Sequence, residues 1–443
     1  MTFKAPPDLS RRSLREFFLS GCKAESDLQI GVEWEKVGIF RDTGKAIPYG
    51  GPRGVKAVLE LLCKRFGWTP VLSSSHEPIA LKKGLSSITL EPGGQIELSG
   101  EKAFHLHENA QELHTHLAQI REVSEPLGIN WLGIGAQPFS TYEEIEWVPK
   151  ERYGIMRKSL EKYGALTYAM MKETASVQVS LDYTSEADAI EKFRLAMALA
   201  PLLTAMFANS PLEKGERSAY LSRRAHIWTQ TDPERTGIVW DVFDPAFDFD
   251  SYIGYALRVP ALFIQRDGTW LPVPRAPFED FIKKGWNGFS AEPQDWDLHL
   301  TSLFTEARLR KYIEIRSVDC QTTALGLSAV AFLKGIFYSQ SARKETWDRL
   351  KDWSLEERKY LQKQTPVQAL QTKHRSQPLL ETAKSLLQIS EKGLSDGNEV
   401  SFLAPLKELM AEGRCPAQRL LECYGQASTS KARIEQVLHC AGI

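Results

Sequence analysis

Four short stretches of this chain alternate strictly between apolar residues and carboxylate or amide residues, and that period of two restricts them to strands. Successive side chains of a strand point to opposite faces. From Ile30 to Lys36, Ile30, Val32 and Trp34 therefore take one face while Glu33 and Glu35 share the other. Ser86 to Ser99 reads as two strands around Pro92-Gly93-Gly94, a strong turn signal. A three-residue turn sets Glu91 opposite Gln95 and brings Glu91 and Glu97 to one face, with Leu90, Ile96 and Leu98 on the other. From Ser176 to Asp182, Val177, Val179 and Leu181 oppose Gln178, Ser180 and Asp182. From Tyr312 to Ser317, Tyr312, Glu314 and Arg316 share a face, with Ile313 and Ile315 behind.

Each stretch alone is explained by a solvated sheet face or a same-strand ion pair. Together they describe one sheet with an apolar back and a front holding five glutamates. Such a front is stable when hard cations sit in it. Mg²⁺ takes oxygen ligands and commonly bridges carboxylates to nucleotide phosphates. No His or Cys spacing competes for zinc, so the donor chemistry favours Mg²⁺ or Mn²⁺.

A further stretch, Ser222 to Gly237, carries Arg223, Arg224 and Arg235 with His226, Trp228 and Thr231 between them. Arginine forks bind carboxylates and phosphates, and the segment reads as a loop receiving an anionic substrate. No Walker phosphate loop and no G-x-S-x-G elbow occurs. His105, His107, His114 and His116 cluster on an expected helix, where positions two apart do not share a face; they read as surface or packing residues.

The rest of the chain is organised around these strands. Helices are expected at 8–22, with Asp8 or Ser10 as its cap, and at 54–66, 103–127 and 185–208; a short strand is expected at 130–136. The apolar run Ala196 to Ala208 is too short to span a bilayer and contains Pro201, so it reads as a buried helix. After Ala324 almost everything reads as helix. Strands mixed with helices and then a helical last quarter indicate an α+β fold, with a core over 1–323 and a helical region over 324–443 packed on it as one unit. Lys plus Arg is 55 and Asp plus Glu is 56 in 443 residues, a balance that gives no electrostatic footprint for nucleic acid or an anionic membrane. The six scattered cysteines form no Cys-x-x-Cys, and the N-terminus has no signal-peptide pattern. The expectation is a cytoplasmic protein with reduced thiols.

Gly31-Val-Glu-Trp-Glu-Lys36, Leu90-Glu-Pro-Gly-Gly-Gln-Ile-Glu-Leu-Ser-Gly100 and Trp131-Leu-Gly-Ile-Gly135 resemble, in this order, the plant- and proteobacterial-type glutamate-cysteine ligases. Ala208-Asn-Ser-Pro211, His226-Ile-Trp228, Asp232 to Gly237 and Tyr312-Ile-Glu-Ile-Arg316 continue the resemblance. It implies a glutamine-synthetase-like fold in which a curved antiparallel sheet forms a funnel for Mg²⁺, ATP and amino acids. It implies ATP-dependent joining of the L-glutamate γ-carboxylate to the L-cysteine amine, the first step of glutathione biosynthesis. Carried over by position, Glu33, Glu35, Glu91, Glu97, Glu314 and Gln178 are the expected metal residues. Arg316 and Arg235 are the expected catalytic arginines, and Arg223, Trp228, Thr231 and Arg235 the expected substrate contacts. Plant enzymes carry a regulatory disulfide at positions matching Ala110 and Leu327, where this chain has no cysteine. A sibling ligase using another amine, a phosphotransferase that stops at the acyl phosphate, and a non-catalytic binding protein on the same fold are the alternatives.

Overall fold

The structure is a computed structural model that describes residues 9–394 and 398–443. Asp8, one expected cap, lies outside them; Ser10 caps the helix Arg11–Leu19 by accepting from the Ser13 amide. Nine antiparallel strands form the central sheet: β1 (Ile30–Phe40), β2 (Thr69–Leu72), β3 (Pro78–Lys83), β4 (Ser86–Leu90), β5 (Ile96–Ser99), β6 (Ile129–Leu132), β7 (Ser176–Leu181), β8 (Ala307–Leu309) and β9 (Ile313–Asp319). Their order is β8-β9-β7-β1-β5-β4-β3-β2, with β6 paired to the far end of β1. With its many helices this is the expected α+β class.

The register places the four carboxylate-bearing strands side by side. Glu35 of β1 pairs with Glu97 of β5, and Glu33 pairs with Gln178 of β7. Glu314 of β9 pairs with Ser180 of β7. The expected three-residue turn is present, since the Glu91 amide donates to the Gln95 carbonyl at 2.9 Å. Gly94 sits there at φ +85°, a conformation that favours glycine.

The alternate residues build the core. Ile30, Val32, Trp34, Leu90, Ile96, Leu98, Val177, Val179, Leu181, Ile313 and Ile315 are all buried in one continuous apolar cluster. The helix Thr323–Phe337 lies against that back face: a Cβ at Gly326 would fall 2.8 Å from the Trp34 ring. The apolar run from Ala196 is buried within the helix Glu186–Phe207, as expected.

Two local expectations are corrected, and one strand pair was not anticipated. Residues 222–237 are not a loop throughout, because Ser222 accepts from the Ala225 amide and starts a helix, Arg223–Thr229. The strand expected over 130–136 ends at Leu132. The β2–β3 pair has no counterpart in the sequence reading, since Thr69–Leu72 does not alternate in burial.

His299 is buried, stacks on Phe278 at 4.2 Å and contacts the Ala256 carbonyl through Nε2 at 2.8 Å. Burial holds its pKa down to about 3. The unfolded chain binds a proton there below about pH 6.5 while the folded protein does not, so this stability is present at neutral pH and lost as pH falls. We expect His299→Gln to flatten the decline in stability between pH 6 and pH 4 by up to about 1.4 kcal/mol per pH unit, measured by denaturant titration. An unchanged slope would contradict the buried neutral state.

Candidate active site

The front of the sheet faces a cavity of about 270 Å³. Glu33, Glu35, Glu91 and Glu97 line it together with Gln178, Trp228 and Arg316, so the paired-carboxylate reading locates its main residues. Arg152, Arg224 and Arg308 complete the charged lining; of these, only Arg224 belongs to the arginine-rich stretch read in the sequence.

The carboxylates are held under electrostatic stress. Burial first, then Glu91 and Glu97, push the Glu35 pKa up to about 8. Burial, Glu97 and Glu314 raise Glu33 well above the usual range, and burial with Glu97 raises Glu91. Glu35 is fixed by the Ser176 amide at 2.6 Å and the Gln178 side-chain amide at 2.8 Å. Glu97 accepts from the Thr89 and Ser99 hydroxyls at 3.0 and 2.7 Å.

Glu314 is set apart. It is 1% exposed, and Arg308 Nη2 grips its two oxygens at 2.7 and 2.8 Å while Arg316 Nη1 donates at 2.6 Å. Burial would raise its pKa, but the two guanidiniums outweigh burial and bring it to about 2. Glu314 thus stands just behind the lining and orients both arginines. Gln178 bridges the halves of the site, donating to Glu35 and accepting from Arg316.

The expected substrate contacts divide. Trp228 lines the cavity, with Arg316 over its ring at 5.9 Å, and its indole N–H has no partner among the described residues. Arg152 Nε is likewise a buried donor without a partner among the described residues. Arg223 instead turns to Glu173 and Glu213, and Thr231 donates to the Trp228 carbonyl at 2.6 Å. Arg235 is 0% exposed and donates to Asp232 at 2.9 Å, Ser302 O at 3.1 Å and Pro260 O at 2.8 Å. Its donors are directed to the protein, and it lies behind the cavity-lining Ser302 and outside the lining itself, whereas the sequence reading places it among the catalytic and substrate residues. The corrected helix explains the exchange of Arg223 for Arg224: neighbouring helical residues leave the axis about 100° apart. Arg224 is held by the Arg316 carbonyl at 2.8 Å and faces the cavity.

Counting Glu314, five carboxylates meet four lining guanidiniums. Among the described residues, no group of three or more His, Cys, Asp or Glu is gathered into a ready-made metal cluster. The donor set still suits a hard divalent cation, because all its carboxylates offer oxygen, and Mg²⁺ commonly completes its shell with water and substrate phosphates.

A family model described as "Glutamate-cysteine ligase family 2 (GCS2)" matches residues 29–438. The chain belongs to glutamate-cysteine ligase family 2. It is 39% identical over 421 residues to glutamate-cysteine ligase B, chloroplastic, of Oryza sativa subsp. japonica, covering 94% of this chain and 84% of that one. Identity to the chloroplastic glutamate-cysteine ligase of Arabidopsis thaliana is also 39%, over 95% of this chain and 81% of that one. A crystal structure of a glutamate-cysteine ligase from Francisella tularensis in complex with AMP shares the fold, with a TM-score of 0.55, 11% identity and coverage of 93% and 88%. The chloroplastic relatives overturn the cytoplasmic expectation, since they point to a plastid compartment. Among the described residues, no helix of this family member is long and apolar enough to cross a membrane.

Two outcomes follow. Glu33→Gln removes one repelling charge, so it is expected to stabilise the metal-free protein by about 1 kcal/mol and to diminish the rise in thermal midpoint caused by Mg²⁺. Destabilisation with a full Mg²⁺ response would contradict the charge-crowding reading. Arg235→Leu leaves buried polar groups unpaired and is expected to cost about 3 kcal/mol in denaturant unfolding, with KM values in the folded fraction changed less than about threefold. Unaltered stability with a tenfold rise in KM would restore Arg235 to substrate binding.

Proposed function

We propose that this protein joins the γ-carboxylate of L-glutamate to the amine of L-cysteine at the expense of ATP, the first step of glutathione biosynthesis. The observation that carries this reading is the family match over residues 29–438, whose sheet motifs supply the glutamate-lined and arginine-lined cavity. ATP is the co-substrate. The resident metal is Mg²⁺, with Mn²⁺ a chemical equivalent, and Glu33, Glu35, Glu91 and Glu97 would hold it beside Gln178. When bound it would neutralise phosphate charge.

A carboxylate is a poor electrophile. An oxygen of the glutamate γ-carboxylate attacks the γ-phosphorus of ATP, the bond to the bridging oxygen breaks, and ADP leaves. The product is γ-glutamyl phosphate. The cysteine amine then attacks the acyl carbon, the carbonyl re-forms, phosphate departs and the amine loses a proton. Arg316 is positioned by Glu314 and Gln178 to face the charge that develops during phosphoryl transfer. Arg308, locked by the same carboxylate, adds a second positive group. Arg224, Arg152 and the Trp228 N–H present donors to anionic substrate. The carboxylate face keeps phosphates and amino acids in line, which supplies the remaining advantage through positioning.

With ATP, Mg²⁺ and glutamate, addition of cysteine is expected to stimulate ADP release strongly and yield γ-glutamylcysteine. Arg316→Ala is expected to lower kcat by about 100-fold or more with a smaller change in KM. Stimulation by another amine alone would reassign the acceptor, and ADP release that ignores every amine would overturn the ligase reading.

A further inference from the structure

Two motifs of the sequence, Trp131-Leu-Gly-Ile-Gly135 and Ala208-Asn-Ser-Pro211, contribute no residue to the cavity lining. Both pack against one buried carboxylate. Asp319 is the last residue of β9 and is 1% exposed. Regular alternation would send it to the apolar back with Ile313 and Ile315. The register of β9 on β7 shifts between Ile315 and Val318, which inserts one residue. Asp319 thereby pairs with the cavity-lining Ser176 and returns to the face of Glu314 and Arg316. Gly135 gives it room, since a Cβ there would fall 2.5 Å from Asp319 Cγ.

Every partner of this carboxylate is a donor. The Asn209 amide and the Ser210 hydroxyl donate to Oδ2 at 2.9 and 2.7 Å. The Ser222 hydroxyl donates to Oδ1 at 2.9 Å, and Arg224 Nη1 lies 3.8 Å from the same oxygen. Burial raises the Asp319 pKa, while Arg224 and these three donors oppose the rise. The two hydroxyls also serve the helix Arg223–Thr229: Ser222 Oγ accepts from the Ala225 amide at 3.1 Å and Ser210 Oγ from the Arg224 amide at 3.0 Å. One carboxylate therefore anchors the first turn of that helix and attracts the side chain that the turn carries to the cavity. Arg224 Nη2 donates to the Arg316 carbonyl at 2.8 Å, the one hydrogen bond of this guanidinium among the described residues. Its remaining donors are left for a ligand in the cavity that it lines.

We propose that Asp319 is a positioning residue of the ligation site, holding Arg224 toward an anionic substrate that Asp319 itself does not touch. The proposal rests on the ligase reading for the identity of that anion, ATP or glutamate. A buried carboxylate with no such task is an expensive way to tie a strand to a helix. Here it joins the strand that carries Arg316 to the helix that carries Arg224 and Trp228, so three groups of the lining share one anchor.

The test is a double-substitution cycle on the full chain, read as steady-state KM values for ATP and glutamate. Arg224→Gln is expected to raise the KM of one of these anions about tenfold or more. Asp319→Asn keeps the size and an accepting oxygen but removes the charge, and it should raise the KM of the same anion about fivefold with a smaller change in kcat. In the double variant, Asp319→Asn should add less than about twofold to the effect of Arg224→Gln. Should Asp319→Asn fail to fold, Ser222→Ala, which removes the hydroxyl between the carboxylate and the helix, takes its place in the cycle. Effects that multiply, a KM unaltered in either single variant, or a rise confined to the other anion would overturn the proposal and leave Asp319 a scaffold residue. A wild type that forms no γ-glutamylcysteine would count against the ligase reading alone, and the same cycle read as dissociation constants for ATP with Mg²⁺ and for glutamate would still decide the role of Asp319.

Discussion

Buried carboxylates on one sheet face repel one another, and most of this molecule is arranged to keep them together. The cost is visible in the raised pKa values of Glu33, Glu35 and Glu91, for which burial and neighbouring carboxylates are the causes. Glu314 escapes that fate because two guanidiniums hold it, and in doing so it aims both into the cavity. One carboxylate thereby positions positive charge, while the other four line the cavity. That division of labour follows from distance to arginine, not from residue type.

The apolar back of the same strands makes the crowding tolerable. Val32, Trp34, Leu98, Val177 and Ile315 bury against helices on a core that reaches the C-terminal region. A fully buried side chain of this size is worth about 1.5–3 kcal/mol, so a handful offsets several kcal/mol of repulsion in front. Gly326 lets the helix Thr323–Phe337 approach the Trp34 ring closely. The strands that hold the chemistry are thus fixed by residues that never touch it.

The carboxylate pairs were legible in the sequence because strand alternation is a local property with a period of two. The Pro-Gly-Gly turn was legible for the same reason. Arg152 and Arg308 were not, since they reach the cavity from a helix and an edge strand whose placement depends on contacts distant in sequence. Arg223 and Arg224 are adjacent, and only the helix begun by Ser222 decides which one faces the ligand. The Ser222 cap was the available signal, masked by the density of arginine and aromatic residues after it. The placement of Arg235 was not legible either, because the partners that claim its donors, a buried Asp232 and the Ser302 and Pro260 carbonyls, meet it only in the fold.

The central claim is that this face activates a carboxylate by phosphorylating it. Glutamate labelled with heavy oxygen in its γ-carboxylate tests that most directly, in a full reaction with ATP and cysteine. An acyl phosphate route carries one labelled oxygen from glutamate into the released inorganic phosphate, and the account requires that label there. Inorganic phosphate free of label, with γ-glutamylcysteine formed, would contradict it.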